Sequence, residues 1–201
     1  MKDLKGIRGA YYIASLIEEG EHEHQDFKFA ISDARKIARS LAAFANNSGG
    51  RLLIGVKDNG QIAGVRSDED VYLVEQAAEM YCRPTQKVTS TAFRCEGGRL
   101  VVRVEIEAAP PDRRPVAVRE SDGKLRCYFR VADENILVPP LVEKAWRHRA
   151  ADPQLSFTPT PERLTLLSLA SAAEGTSLDR FMLEAHLSES AATRAIIDAH
   201  A

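Results

Sequence analysis

The residues of this chain with the clearest chemical potential are its cations. Lys28 stands in a segment otherwise lined by phenylalanines, where it needs a carboxylate partner, a phosphate or an edge position. Arg35, Lys36 and Arg39 fall on one side of a helical stretch and are spaced to follow a nucleic-acid backbone or to form a solvated face. Arg113 and Arg114 sit in the loop Pro110-Pro111-Asp112-Arg113-Arg114-Pro115, which proline stiffens and which suits a phosphate contact better than a packing role. Arg119, Lys124, Arg126 and Arg130 flank or occupy a late hairpin and extend the same surface. His22 and His24 alternate, as metal ligands on one strand face would, but two histidines without a third fixed ligand read first as exposed polar residues. No G-x-x-x-x-G-K followed by Ser or Thr occurs, and the glycines between Gly49 and Gly64 each have a local use as helix exit, turn or close packing, so ATP binding is not expected.

Composition bounds these options. The chain has 201 residues, 44% of them hydrophobic, enough for a real core in one domain plus a small appendage. The formal net charge is -2 and the pI is near 6.2. A phosphate-binding surface must therefore be a local patch, which suffices because charges act over a Debye length of about 8 to 10 Å. The beginning Met1-Lys2-Asp3-Leu4-Lys5 is not followed by an apolar run of signal-peptide length, and nothing approaches the about 18 apolar residues of a membrane span, so a cytoplasmic protein is expected. Cys82, Cys95 and Cys127 are odd in number and widely spaced, which points to buried reduced thiols and away from a disulfide framework or zinc site. Aromatic residues make up only 6%, and no aromatic-rich strand stands out, which favours backbone recognition of duplex over base stacking.

The elements that must position the cations follow from hydrophobic period. Tyr11 to Glu18 has Tyr12, Ile13, Leu16 and Ile17 at helical spacing, with Gly20 as the stop. Asp26 to Ile31 alternates as a strand. Ser32 is the expected N-cap of a helix to about Asn46 whose buried stripe is Ile37, Leu41, Phe44 and Ala45, ended by Asn47-Ser48-Gly49-Gly50. Arg51 to Val56, the turn Asp58-Asn59-Gly60 and Gln61 to Val65 read as a hairpin. Asp68 is the expected cap of a helix to about Tyr81. Strands are expected at Lys87 to Cys95, Leu100 to Glu107, Val116 to Arg119 and Leu125 to Val131, then a helix from Leu141 to about Arg149. The fold class is therefore α+β, with a mixed, largely antiparallel sheet and packed helices, over residues 1–150.

Residues 151–161 carry three prolines and read as a linker. Beyond it, Glu162 to Ala173, Ser177 to Ala185 and Ser188 to His200 read as three short helices broken at Glu174-Gly175-Thr176 and His186-Leu187. Two readings stay open for residues 162–201: a small appendage for packing or assembly, and a helix-turn-helix, although Arg194 is the single Lys or Arg of its last segment.

Several segments together resemble the Schlafen-type Alba-like (AlbA_2) domain. That family shows a G-E-x-x-x-x-E-F-K opening, an A-F-A-N-x-x-G-G helix exit, an I-G-V-x-D-x-G hairpin and a late Y-x-R strand. Here they are matched by Gly20-Glu21 with Asp26-Phe27-Lys28, by Ala43 to Gly50, by Ile54-Gly55-Val56 with Asp58 and Gly60, and by Tyr128-Phe129-Arg130. The resemblance spans about Ala10 to Pro140 and leaves out the tail, where bacterial relatives often carry a helix-turn-helix or winged helix. It implies nucleic-acid binding in bacterial regulators, and in a divergent animal branch the cutting of structured RNA by three acids. Carried over, those acids are Glu21, Asp26 and Asp58, a catalytic set that would hold Mg²⁺ or Mn²⁺ and activate water at a phosphodiester. Asp26 stands where the family has Glu, and Glu21 and Asp26 are an odd number of residues apart, so they converge only if Glu21 lies in a bent approach.

Three functions are consistent with these residues. One is a non-catalytic nucleic-acid-binding transcriptional regulator, pairing as a homodimer and favouring DNA over RNA. A metal-dependent endoribonuclease and a protein-interaction module are the others.

Overall fold

The computed structural model describes residues 6–152, 158–172 and 175–200. The expected linker residues 153–157, Glu174 of the expected break and the first five residues lie outside the described ones. The chain divides into two compact units: Met1–Ala109 with Val116–Val138, and Pro110–Pro115 with Pro139–Ala201.

The first unit is α+β. Strands β1 (Ile7–Arg8), β2 (Gln25–Lys28), β3 (Gly50–Ile54), β5 (Thr89–Arg94) and β6 (Leu100–Ile106) form a mixed sheet in the order β1-β5-β6-β3-β2. The pairs β2–β3 and β1–β5 are parallel, and the others antiparallel. A second, antiparallel sheet has the order β4 (Cys82–Arg83), β7 (Ala117–Arg119), β8 (Leu125–Val131), β9 (Glu134–Leu137).

Alternation along β3 divides the core. Leu53 joins Ile13 and Leu16 of α1 (Ala10–Glu18) together with Phe27, Phe93 and Val101. Leu52 and Ile54 join Ile37, Leu41 and Phe44 of α2 (Ala34–Asn46), Val71 and Val74 of α3 (Asp68–Gln76), Val118 of the second sheet and Val116 just before it. Each such large side chain contributes about 1.5 to 3 kcal/mol on burial. The expected stripe of α2 is buried, and so is nearly everything else from Ile37 onward, because the helix lies between two sheets. A π-turn at Ala77–Tyr81 extends α3.

Two loops depend on glycine. Gly49 has φ +80°, and a Cβ there would lie 2.8 Å from the Ile106 carbonyl oxygen. Gly55 has φ +93°, and its Cβ would meet the Gly64 and Val65 backbone at 2.7 Å, so a side chain at either position would force the loops apart.

Some expected boundaries need correction. The α2 cap is Asp33, not Ser32: its carboxylate accepts from the Arg35 N–H at 2.8 Å. The α3 cap is Ser67, not Asp68. The strand expected at Asp26–Ile31 is only Gln25–Lys28, and its first three residues are buried irrespective of face. Gln61–Val65 does not form a return strand. A single bridge joins Val56 and Ile62, after which Ala63 and Gly64 both donate to the Gly55 carbonyl and Val65 donates to that of Leu100.

The second unit contains α4 (Pro140–Ala151), α5 (Pro161–Ala170), α6 (Leu178–Ala185) and α7 (Glu189–His200). Thr160 and Ser177 cap α5 and α6 through their hydroxyls, and His186 in the left-handed conformation ends α6. Phe181 and Ala192 are fully buried, and Arg163 pairs with Asp198 at 2.9 Å. Among the described residues no helix is long and apolar enough to cross a membrane.

Candidate functional site

Glu21 precedes β2 in a tight reversal, where His22 and Gln25 exchange backbone hydrogen bonds. This bend turns the Glu21 carboxyl back along the strand, where its Oε1 accepts from the Phe27 N–H at 2.7 Å. The same bend sets it close enough to Asp26 for the two carboxyls to influence each other's ionisation. The odd spacing is thus resolved by backbone geometry outside the strand.

Asp26 is 4% exposed and surrounded by donors. Lys28 Nζ lies 2.7 Å from Oδ2, Ser40 Oγ donates at 3.3 Å, and Arg130 Nη2 lies 3.3 Å from Oδ1. Burial alone would raise its pKa, but the Glu21 hydrogen bond and the charges of Lys28 and Arg130 bring it below the usual carboxylate range. Glu21 goes the other way, pushed up to about 7 by burial, by its hydrogen bond with Asp26 and by the Asp26 charge. The two shifts are opposite: burial and the Asp26 charge favour the neutral form of Glu21, while the surrounding cations favour the ionised form of Asp26.

Arg130 completes this centre. It is 2% exposed, lies 5.0 Å from the Phe44 ring centroid and donates to the carbonyls of His22 at 3.0 Å and Gln25 at 3.2 Å and to Asn135 Oδ1 at 3.2 Å. Asn135 in turn donates to Ser40 Oγ. The asparagines ending α2 fix the strand that carries Arg130. Asn46 donates to the Val116 and Tyr128 carbonyls and accepts from the Val116 N–H, while Asn47 exchanges hydrogen bonds with the Arg130 backbone.

Asp58 does not join the other two acids. It is exposed in the turn after β3. Among the described residues no group of three or more His, Cys, Asp or Glu side chains is placed to hold a metal ion. Asp26 is already faced by Lys28 at 2.7 Å, Ser40 Oγ at 3.3 Å and Arg130 at 3.3 Å, which leaves little lone-pair capacity for a further cation. His22 and His24 stand with ring centroids 6.0 Å apart; His22 Nδ1 accepts from the His24 N–H, and its Nε2 lies 3.6 Å from Glu19.

Residues 21–139, the stretch that contains this network, match the Schlafen AlbA_2 family. The chain belongs to that family. Its domain is a nucleic-acid-related one. No curated protein matches the chain. Among solved structures, it is similar to the DIP2311 protein from Corynebacterium diphtheriae, with 21% identity and a TM-score of 0.46 over 83% of this chain. The chain spans 35% of that protein. It is also similar to the N-terminal domain of a RecG-related protein from Nitrosomonas europaea, with 19% identity and a TM-score of 0.45 over 67% of this chain and 97% of the other.

Within the AlbA_2 domain the cations sort into engaged and unengaged. Arg39 makes a two-pronged ion pair with Glu120, Nε to Oε1 at 2.8 Å and Nη2 to Oε2 at 2.6 Å, joining α2 to the β7–β8 hairpin. Glu120 is 4% exposed and also accepts from the Tyr128 hydroxyl at 2.7 Å. Arg126 pairs with Asp122 at 2.7 Å, Lys28 with Asp26, and Arg130 is internal. Arg35 lies 4.9 Å from the Tyr81 ring centroid. Lys36, Arg119 and Lys124 are exposed and make no ion pair among the described residues. In the other unit Arg113 is exposed and Arg114 is half-buried, with its pKa lowered by burial.

Residues that sequence reasoning missed now stand out. Gln25, Ser40, Asn46, Asn47 and Asn135 are polar groups that hold the buried network, and Glu120 anchors Arg39. The A-F-A-N-N segment signalled Asn46 and Asn47 only as a helix stop. Phe29, Lys57 and Arg66 form a further cluster: the ammonium of Lys57 lies 5.7 Å and the guanidinium of Arg66 4.7 Å from the Phe29 ring centroid. The thiols of Cys82, Cys95 and Cys127 are all buried, and burial pushes Cys82 up to about 12, so it is unreactive.

The raised pKa of Glu21 makes a measurable prediction. Because the folded pKa of Glu21 is raised from 4.5 to about 7, its stabilising contribution is complete below the ordinary value and is lost as pH rises through 7. Glu21→Gln keeps a donor toward Asp26 and an acceptor for the Phe27 N–H but cannot ionise. Melting temperatures across about pH 5 to 8 should decline with pH in the parent and flatten in the variant. A parallel decline in both would assign the dependence to other groups.

Proposed function

We propose that this protein is a non-catalytic nucleic-acid-binding regulator of transcription that holds its ligand by the phosphate backbone, with DNA favoured over RNA. The observation that carries the reading is the division of cations in a domain of a nucleic-acid-related family. Arg39, Arg126 and Arg130 are held by carboxylates of the fold, whereas Lys36, Arg119 and Lys124 face solvent with no ion-pair partner among the described residues. Unpaired, exposed ammonium and guanidinium groups are the ones that can replace phosphate counterions. Around the β7–β8 hairpin, Arg39, Arg119, Lys124 and Arg126 outnumber Glu120 and Asp122, which gives local positive charge in a chain of net charge -2.

The protein would work as a cytoplasmic homodimer, since pairing doubles the phosphate contacts of a modest patch. Its helical unit would serve assembly or dock as a helix-turn-helix through α7, where Arg194 is exposed.

The test is a double charge reversal, Arg119→Glu with Lys124→Glu, at exposed positions. It should weaken binding of a labelled duplex about tenfold or more and make its salt dependence shallower by about two phosphate equivalents, with the melting temperature unchanged. The ligand should emerge intact from incubation with Mn²⁺. Metal-dependent fragments that vanish in Asp58→Ala would establish a nuclease instead. Absence of binding at low salt would leave the protein-interaction module.

A further inference from the structure

We infer that Phe29 is a stacking site for an unpaired base of a single-stranded nucleic acid, with Lys57 and Arg66 taking the adjoining phosphates. The inference rests on the nucleic-acid reading above and adds a ligand form to it. Phe29 follows β2 directly, at the carboxyl end of the parallel pair β2–β3, where the Gly55 N–H donates to the Lys28 carbonyl at 2.8 Å. The loop after β3 folds back on Gly55 and delivers Lys57 and Arg66 to the Phe29 ring.

A buried carboxylate fixes the arrangement. Asp70 accepts from the Ile31 N–H through Oδ1 and from the Arg66 N–H through Oδ2, both at 3.4 Å, and so ties the segment after Phe29 to the segment carrying Arg66. Phe29 remains 37% exposed. A solitary exposed phenylalanine would mean little. Here it carries two cations, neither in an ion pair among the described residues: Lys57 Nζ donates to the Gln61 amide oxygen, and the Arg66 side chain has its ring contact alone.

The chemistry that matches a flat ring, a flat guanidinium and an ammonium is a base with its flanking phosphates. Aromatic rings and guanidinium planes both stack on bases, and the positive charges compensate the backbone. A duplex keeps its bases inside its own stack and cannot use the ring. Phe29 therefore distinguishes single strands from duplex, whereas Arg119 and Lys124 do not.

The full chain is tested by fluorescence anisotropy with labelled oligothymidylate of about twelve nucleotides and with a duplex of the same length. Phe29→Leu, which keeps apolar contact but removes the ring, should weaken oligothymidylate binding about tenfold and change duplex binding less than twofold. Arg66→Gln, whose backbone link to Asp70 is retained, should also weaken the single strand. A 5-iodouracil oligonucleotide should crosslink at Phe29. Unchanged single-strand affinity in Phe29→Leu, or crosslinks confined to other segments, would overturn the stacking site while leaving the phosphate reading intact if duplex is still bound. Failure of the parent to bind either ligand would overturn both.

Discussion

Replacing Arg130 by Met is expected to destabilise the protein by about 3 to 5 kcal/mol, the range for breaking a buried ion pair and stranding its partner. Met keeps much of the volume beside Phe44 but none of the donors. Asp26 would keep Lys28, Ser40 and Glu21 but lose one of its two cations, and the His22 and Gln25 carbonyls and Asn135 Oδ1 would each lose a buried donor. Urea unfolding followed by circular dichroism measures the change. Loss of nucleic-acid binding without loss of stability would contradict this account, because it would make Arg130 a surface contact and not an internal tie.

The second large effect is expected at Arg39. Arg39→Ala leaves the 4% exposed Glu120 with the Tyr128 hydroxyl as its one side-chain hydrogen bond among the described residues and the more distant Arg126 charge, and should cost about 2 to 4 kcal/mol at neutral pH. Adding Glu120→Gln should recover part of that, since the stranded charge is gone. The two arms of a pH comparison have opposite signs. In the parent, the Arg39 hydrogen bonds, with help from Tyr128, overcome burial and hold Glu120 below its ordinary 4.5. That stabilisation is present above 4.5 and is lost as pH falls through the depressed value. In Arg39→Ala, burial acts without the compensating cation, so acid relieves the stranded carboxylate. The gap between parent and variant should therefore narrow in urea titrations between about pH 7 and pH 4, and a constant gap would mean that the pair contributes by packing alone.

These two arginines show where sequence reading reaches and where it stops. Their charge was legible, with Arg39 on the second helix and Arg130 at the last hairpin, and so was the possibility that Lys28 pairs with its neighbouring acid. Their engagement was not, because Arg39 and Glu120 are 81 positions apart and only the packing of α2 on the second sheet brings them together. The helix α2 was legible because its apolar stripe and its Asn-Ser-Gly-Gly exit are local signals. Its cap was misplaced by one because Ser32 and Asp33 are both capping residues, and only backbone angles choose between them. The same ambiguity moved the α3 cap from Asp68 to Ser67.

The turn at Asp58-Asn59-Gly60 exists, with Gly60 at φ +79° and Lys57 accepting from its N–H, but a turn does not specify a ladder beyond it. The strands β1, β4 and β9 escaped notice because two to four residues carry no readable period. Phe29, Lys57 and Arg66 were invisible as a group, since a parallel strand pair and a glycine-dependent loop assemble them from three separate segments.

In the proposed function, the exposed cations without ion-pair partners among the described residues bind nucleic-acid phosphates. The most direct test of this binding is a salt titration of the parent protein with labelled duplex DNA from about 50 to 200 mM salt. The logarithm of the association constant is expected to fall linearly with the logarithm of salt, at about 0.9 per phosphate contacted, with the DNA recovered intact. Affinity that ignores salt, or no binding even at about 50 mM, would contradict it.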